Sequence, residues 1–393
     1  MSGSTAERLG ESTLVLEGRT CTIDALIARS DAGTVKIGRN TTVFLDEAGM
    51  ADHRRLDALT QLIEQSGAKL IAVGDGKQLP SIGPGGMFDR LTAHARSAEL
   101  EDIHRTSDPG ERQAWAALRR GEPEKAMAHY QAEGQLFFMD DRQQAGEAAV
   151  QRWAELTKTC DVRSVALIAD SSNVEIDRLS ARAQHLRAER GELGHQELQL
   201  PHQHYGLREG DLITFTAQHR PPGHPRVENG TRAEVTKVGE TNSLTVKLDG
   251  SGRELNLAGK DIENLRLAYA QQVYRQQGAT VDRSIVLTGG WQTSKESAYV
   301  QATRARHGTE WFLARDELGL DGQDDRRVMR LAGQLRISRR QTPSLNHREL
   351  ADPDWGPAYH PTHRLIPSPL HALARATRHL DRHPARDPPG PER

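Results

Sequence analysis

The sequence predicts an α/β fold built on parallel strands, with a small antiparallel β unit set into its second half. Three observations carry that prediction. Short β-branched apolar runs ending in acids or glycines alternate with stretches of helical periodicity, the pattern of strand–helix–strand units. Residues 201–267 switch to period-two alternation broken by Asn229-Gly230, Gly239 and Asp249-Gly250, which are hairpin signals, and a small β-barrel is the natural reading. The chain has 393 residues, enough for two or three domains with separate cores.

Bulk composition narrows the partners. A net charge of −2 gives no global basic field, so any nucleic-acid groove must be a local basic surface. Cys21 and Cys160 lie far apart without metal-ligand spacing and suit a reducing compartment as ordinary thiols. No apolar run approaches membrane-spanning length, and the N-terminus lacks a signal-peptide core. The expectation is a soluble cytoplasmic protein with no membrane partner.

Taken in order, residues 19–29 read as an amphipathic helix that covers a sheet with Ile23, Leu26 and Ile27. Thr42 to Leu45 form a buried parallel strand with Asp46-Glu47 at its carboxyl end. Leu56, Leu59, Leu62 and Ile63 repeat at helical spacing between an Asp52 N-cap and a Gly67 stop. Lys69 to Val73 make a second buried strand, followed by the Gly74-Asp75-Gly76 turn. In residues 98–130, Arg105 is expected after a short strand and before a helix that ends at the Arg119-Arg120-Gly121 triplet, and Trp115, Leu118 and Ala126 read as helix-packing residues. Leu136 to Met139 is a strand, residues around Ala148, Val150 and Trp153 a helix, 165–170 a strong strand, and 174–190 a long Arg-rich helix. After the antiparallel block, Ser284 to Leu287 form another buried strand. Thr293 to Glu296 has capping-box spacing for a helix that turns Tyr299 and Val300 inward. Trp311 to Ala314 close the domain as a strand. Beyond residue 338, Pro, Arg and His accumulate and the pattern is that of a disordered tail.

Ligands of open α/β sheets collect beyond the carboxyl ends of the strands. Asp46 is therefore a candidate magnesium ligand, Glu47 a candidate base for a water attacking phosphate, and Gln78 a candidate sensor of a terminal phosphate. An Asp-Glu pair after an apolar run is common by itself; two such cassettes about one helix apart are far more specific. The pair DEAG and GDGKQLPSIGPGG resembles motifs II and III of superfamily 1 helicases, within them the RecD-like branch, and above all the helicase half of MobF-type conjugative relaxase–helicases, which are AAA family ATPases. The resemblance covers residues 2–315.

That resemblance implies two RecA-like lobes of the P-loop NTPase type, the first incomplete, with the β-barrel inserted in the second. Residues 1–130 would form the first lobe, 131–200 with 268–320 the second, 201–267 the barrel, and 338–393 the tail. It implies ATP and Mg²⁺ as cofactors, held by Asp46, Glu47, Gln78, Arg105 on motif IV and Arg304, the motif VI arginine finger. Single-stranded DNA is the implied partner, moved in the 5′-to-3′ sense. Gly3 in GSTAERLGEST matches motif Ia, where Ser4 stands in place of the usual lysine. AYAQQVYRQQGATVDR resembles motif V: Tyr269, Ala270, Gln277 and Gly278 match, while Gln272, Tyr274 and Arg275 replace Thr, His and Lys. Arg275 keeps a cation for backbone phosphate and Tyr274 a ring that can stack on a base. His202 and His204 beside Tyr205 do not make a nicking site, since Gln203 breaks the His-hydrophobic-His pattern, and a loop before the barrel is expected.

Nowhere does the sequence carry G-x-x-x-x-G-K-[ST]; Gly76-Lys77 is followed by Gln78 and lacks the upstream glycines. The chain starts where the family has just passed its phosphate loop. Weak or absent ATP turnover by the chain alone is therefore expected. Three readings compete: the C-terminal piece of a relaxase–helicase, a non-hydrolysing single-stranded-DNA-binding module, and a remnant without function. The first is favoured, and whether a separate chain supplies the phosphate loop or a relaxase domain stays open.

Overall fold

A computed structural model describes residues 20–340 apart from 82, 84, 101, 202, 221–224, 241, 320 and 321. Gly3, His202 and the tail from residue 341 onward lie outside the described residues. The first unit runs through helix α1 (Ile23–Asp31), strand β1 (Thr42–Leu45), helix α2 (His53–Ser66), strand β2 (Lys69–Ala72) and helix α3 (Met87–His94). Asp52 caps α2 by accepting from the Arg55 N–H, and Gly67 ends it. The strands pair in parallel, Thr42 against Lys69 through Leu45 against Ala72. Ile23, Leu45, Leu56, Leu59 and Phe88 form the small core beneath them.

The expected double burial of these two strands does not hold. Thr42 and Phe44 are exposed, and β2 is half-buried at best, because among the described residues each strand has one neighbour. The turn after β2 is tight. A side chain at Gly74 would place its first carbon 3.0 Å from the Ala48 nitrogen and 3.2 Å from that of Gly49, so glycine is required where the two strand-end loops touch.

The second unit is a five-stranded parallel sheet. Its strands are β3 (Leu136–Met139), β4 (Val165–Ala169), β12 (Ala270–Gln272), β13 (Arg283–Thr288) and β14 (Thr309–Ala314), in the order β12-β4-β13-β14-β3. β4 and β14 are buried at every residue, as near-continuous apolar runs in a doubly covered sheet should be. Helices α6 (Arg142–Leu156) and α7 (Asn173–Glu189) cover one face, with Val150, Trp153, Ile176 and Leu179 in that core. The other face takes α4 (Pro109–Arg120), α5 (Pro123–Ala132), α10 (Lys295–Ala302) and α12 (Asp324–Leu335) through Trp115, Met127, Tyr130, Val300 and Leu331. The grouping of residues 1–130 thus divides: 109–132 pack on the second sheet.

Between α7 and β12 lies the antiparallel material. Strands β5 (Glu197–Gln199) and β6 (Gly206–Arg208) pair as a ribbon. β7 (Leu212–Phe215), β8 (Arg232–Val238), β9 (Ser243–Leu248), β10 (Glu254–Ala258) and β11 (Leu265–Leu267) form a sheet in the order β10-β9-β8-β7-β11, with helix α8 (Lys260–Glu263) before the last strand. The alternating burial of β8, β9 and β10 is the period-two pattern of the sequence. Among the described residues no ladder joins edges β10 and β11, so strand pairing does not close this sheet into the expected barrel.

Entry and exit of this insert meet. The Ala268 N–H donates to the Leu212 carbonyl at 2.8 Å, and Tyr269 Oη donates to Asp211 Oδ1 at 2.6 Å. Asp211 also accepts from Gln184 and from the Arg208 N–H, and Arg187 donates to Tyr269 Oη at 2.9 Å. Burial pushes the Asp211 carboxyl up to about 6 against those donors.

Three local expectations change. No strand precedes Arg105, since 102–104 have no regular structure and Leu100 stands exposed without a partner strand. The capping box sits one residue later than expected, on Ser294 and Ser297. Thr293 is already used: its hydroxyl accepts from the Gly289 N–H at 2.9 Å. β14 does not close the domain, because α11 (Arg315–Leu318) and α12 follow it and α12 buries Val328, Leu331 and Leu335. No helix among the described residues is long and apolar enough to cross a membrane.

Candidate functional site

The carboxyl ends of β1 and β2 carry Asp46, Glu47, Asp75 and Gln78. The chain must turn sharply after β1, and Glu47 does so in the left-handed region at φ 49°. For a glutamate this backbone costs roughly 1 kcal/mol or more. Asp46 Oδ1 accepts from the Glu47 N–H at 2.9 Å, which steadies the turn. Asp75 Oδ1 does the same for the Lys77 N–H.

The second unit faces these acids with cations. Arg304, two residues past α10, is 1% exposed. Its Nε donates to the Val300 carbonyl at 3.0 Å, Nη1 to the carbonyls of Gln276 and Ala279 at 3.3 Å each, and Nη2 to Thr303 Oγ1 at 3.1 Å. The segment between Gln276 and Ala279 wraps the guanidinium by turning at Gly278, where φ is +77°. Burial and then the neighbouring Arg105 hold the guanidinium down to about 9, while Glu47, Tyr299 and Asp75 act the other way. It stays charged at neutral pH. Arg105 is half-buried, donates to the Thr303 carbonyl, and is lowered chiefly by burial.

Direct contact crosses the cleft at Gln277, whose Nε2 lies 3.4 Å from Glu47 Oε2. Burial raises the Glu47 carboxyl and Asp46 adds to it; the Gln277 hydrogen bond and Arg304 oppose. A second crossing joins Arg119 Nη1 to Asp75 Oδ2 at 3.5 Å, with Tyr299 beside both. Glu47, Gln277, Arg105 and Arg304 are therefore brought together, with Asp46 and Gln78 on the same rim. Tyr274, 39% exposed, and Arg275 lie on the short helix α9 (Val273–Gln276), Arg275 with Nη1 3.3 Å from Thr214 Oγ1 of the antiparallel sheet. Arg306, outside the cleft, pairs with Asp282 at 3.0 Å. Tyr205 is buried with its hydroxyl 3.4 Å from Asp177, and burial raises it far from a nucleophile's range.

Sequence reasoning missed Asp75, Arg119 and Tyr299. Asp75 had a signal, being the acid after β2 as Asp46 is the acid after β1. Arg119 had none, because its reach across the cleft depends on packing.

The site's chemistry fits a phosphate chain. Two guanidiniums feel the field of one carboxylate, Glu47, and the buried oxygens Gln78 Oε1 and Gln277 Oε1 are without hydrogen-bond partners among the described residues. No three His, Cys, Asp or Glu among the described residues gather as a metal cage. Asp46 offers a single carboxylate, which suits a magnesium ion that takes its remaining ligands from phosphate and water.

Residues 1–141 match the family described as an AAA domain. The conjugal transfer protein TraA of Agrobacterium fabrum is 28% identical over 286 residues, covering 72% of this chain and 25% of that protein. The probable conjugal transfer protein TraA of Sinorhizobium fredii is 27% identical over 310 residues, covering 78% and 27%. The chain is thus similar to these conjugal transfer proteins along most of its length, and to AAA domains over its first 141 residues. The chain spans about a quarter of the length of these relatives. A crystal structure of Pif1 helicase from Bacteroides in complex with ADP-AlF3 and ssDNA aligns with a TM-score of 0.46 and 15% identity over 75% of this chain and 74% of that one, a likeness that carries no further argument.

Proposed function

We propose that this chain is the ATP-dependent translocase module of a conjugative relaxase–helicase, moving 5′-to-3′ along single-stranded DNA. The observation that supports it best is the convergence of Glu47 with Gln277, Arg105 and Arg304 across one cleft. In this reading residues 1–130 and 131–200 with 268–320 contribute the two lobes and 201–267 the insert, with the α4–α5 helices riding on the second sheet. ATP with magnesium supplies the scissile phosphate anhydride. Glu47 orients a water and takes its proton, which its raised carboxyl suits. Asp46 holds the metal. Gln78 reads the terminal phosphate, and Arg105 and Arg304 offset charge developing there, an effect worth about 10³-fold or more in rate for such arginines. Tyr274, Arg275, Gln277 and Gly278 line the strand's path, and Gly3 is the motif Ia candidate for a further contact. The free cysteines Cys21 and Cys160 suit a cytoplasmic setting.

No G-x-x-x-x-G-K-[ST] stands in the 393 residues, and slow turnover by this chain alone is the expectation. That same fact favours the second reading, a single-strand binder that does not hydrolyse. Steady-state ATPase with oligothymidylate and magnesium separates them, alongside salt titration of DNA binding. The first reading expects turnover well below about 1 per second, with ATP-magnesium changing DNA affinity. DNA binding indifferent to ATP would leave the second, and binding of neither ligand would defeat both.

A further inference from the structure

Strands β12, β4 and β13 are neighbours in the parallel sheet, so their carboxyl ends open onto one rim. Each end carries a large apolar side chain in solvent. Tyr274 follows β12 at 39% exposed, Val174 follows β4 at 79%, and Trp291 follows β13 at 75%. Chains bury tryptophan where they can, and the other described tryptophans, Trp115, Trp153 and Trp311, are buried.

The Trp291 loop is held rather than loose. The Gly289 N–H donates to Thr293 Oγ1 at 2.9 Å, and the Thr293 N–H to the Gly290 carbonyl at 3.0 Å. Arg142 anchors the adjoining β4 loop, donating to Ser171 Oγ at 2.6 Å and pairing with Glu175 and Glu317. Over the indole lies the Arg339 guanidinium, 5.8 Å from the ring centre. Tyr274, at the cleft end of the rim, is followed by the exposed Arg275.

We propose that this rim is a stacking platform for single-stranded nucleic acid, with Trp291 the principal base contact and Tyr274 the next. Arg339, over the Trp291 ring, and Arg275, next to Tyr274 in the chain, meet the phosphates. Rings paired with cations are what a single strand selects, since every base has a face to stack and every linkage a charge. The rim starts at Gln277, beside Glu47, and leads outward to Trp291, so a strand laid on it would leave the cleft across the second unit. The inference rests on the single-stranded-DNA reading and adds to it a residue outside the motif V segment.

The test is equilibrium binding of a fluorescent oligothymidylate of about 16 nucleotides to the full chain and to Trp291→Ala, Trp291→Phe and Trp291→Leu. Trp291 is exposed, so the variants should keep the wild-type melting temperature. Trp291→Ala is expected to weaken binding on the order of 10-fold or more, Trp291→Phe to restore most of it, and Trp291→Leu to fail to. A strand of abasic sites should bind wild type and Trp291→Ala alike. Equal binding of the thymidylate by wild type and Trp291→Ala would overturn the platform and leave the DNA reading standing. Rescue by leucine would overturn stacking. Failure of the wild-type chain to bind would remove the DNA reading and the platform with it.

Discussion

Arg304 shows why residue-level function has to be separated from residue-level stability. Its guanidinium is buried and held by three carbonyls and a hydroxyl, so it braces the loop from Gln276 to Ala279 whether or not a phosphate is present. Arg304→Met is expected to lower unfolding free energy by about 2–3 kcal/mol in urea titration, because buried acceptors lose a charged donor. No change in stability would show that the carbonyl cage is incidental. Lost activity in that variant therefore cannot by itself name a finger; Arg304→Lys, which keeps the charge, is the better probe. The sequence made Asp46, Glu47 and Gln78 legible because acids and a neutral amide follow apolar runs at strand ends. It did not show the left-handed backbone at Glu47 or the Gln277 bond to it, since both depend on how the two units meet.

At the scale of the element, the strands of the parallel sheet were legible from apolar runs, and the antiparallel insert from its alternation and turns. Capping was misread by one residue because Thr293-Ser294 offers two hydroxyls in a row, and the Gly289 N–H takes the first. Helix α12 went unread because it opens with Asp-Asp-Arg-Arg, although Arg327 is itself buried. The stem residue Asp211 yields a pH prediction. Its carboxyl titrates near 6 in the folded chain against about 3.9 unfolded. The native state thus holds a proton that the unfolded chain has lost, so this contribution is full below about pH 4 and gone above about pH 6. Asp170, also raised to about 6 by burial, acts with the same sign. Unfolding free energy measured from pH 4 to 6 should therefore fall less steeply with rising pH in Asp211→Asn than in wild type; an unchanged slope would rule Asp211 out as its source.

For the whole molecule, the two units differ in depth of core. β1 and β2 are partly exposed, whereas β4, β13 and β14 are buried almost throughout. Among the described residues, polar contacts between them include Gln277 to Glu47, Arg119 to Asp75, and Arg340 to Asp89 at 2.8 Å, and Leu79 packs into the core of the second unit. The two Arg–Asp pairs are partly exposed, and such pairs are worth about 1 kcal/mol each. Amide hydrogen exchange should accordingly release β1, β2 and α2 well before β4, β13 and β14, through opening of the first unit by itself. Uniform protection across both sheets would show one cooperative body. The changeover between units was not legible, since α4 follows Arg105 in sequence but shares its apolar face with a sheet formed later in the chain.

The meeting of entry and exit at Leu212 and Ala268, clamped by Asp211 and Tyr269, has a mechanical corollary. An appendage with both feet on one plinth cannot sway independently at its base. Drag applied to the tip of the insert would be delivered as torque at Tyr269, one residue before the strand that leads to Gln277, and so to the seam where the nucleotide would sit.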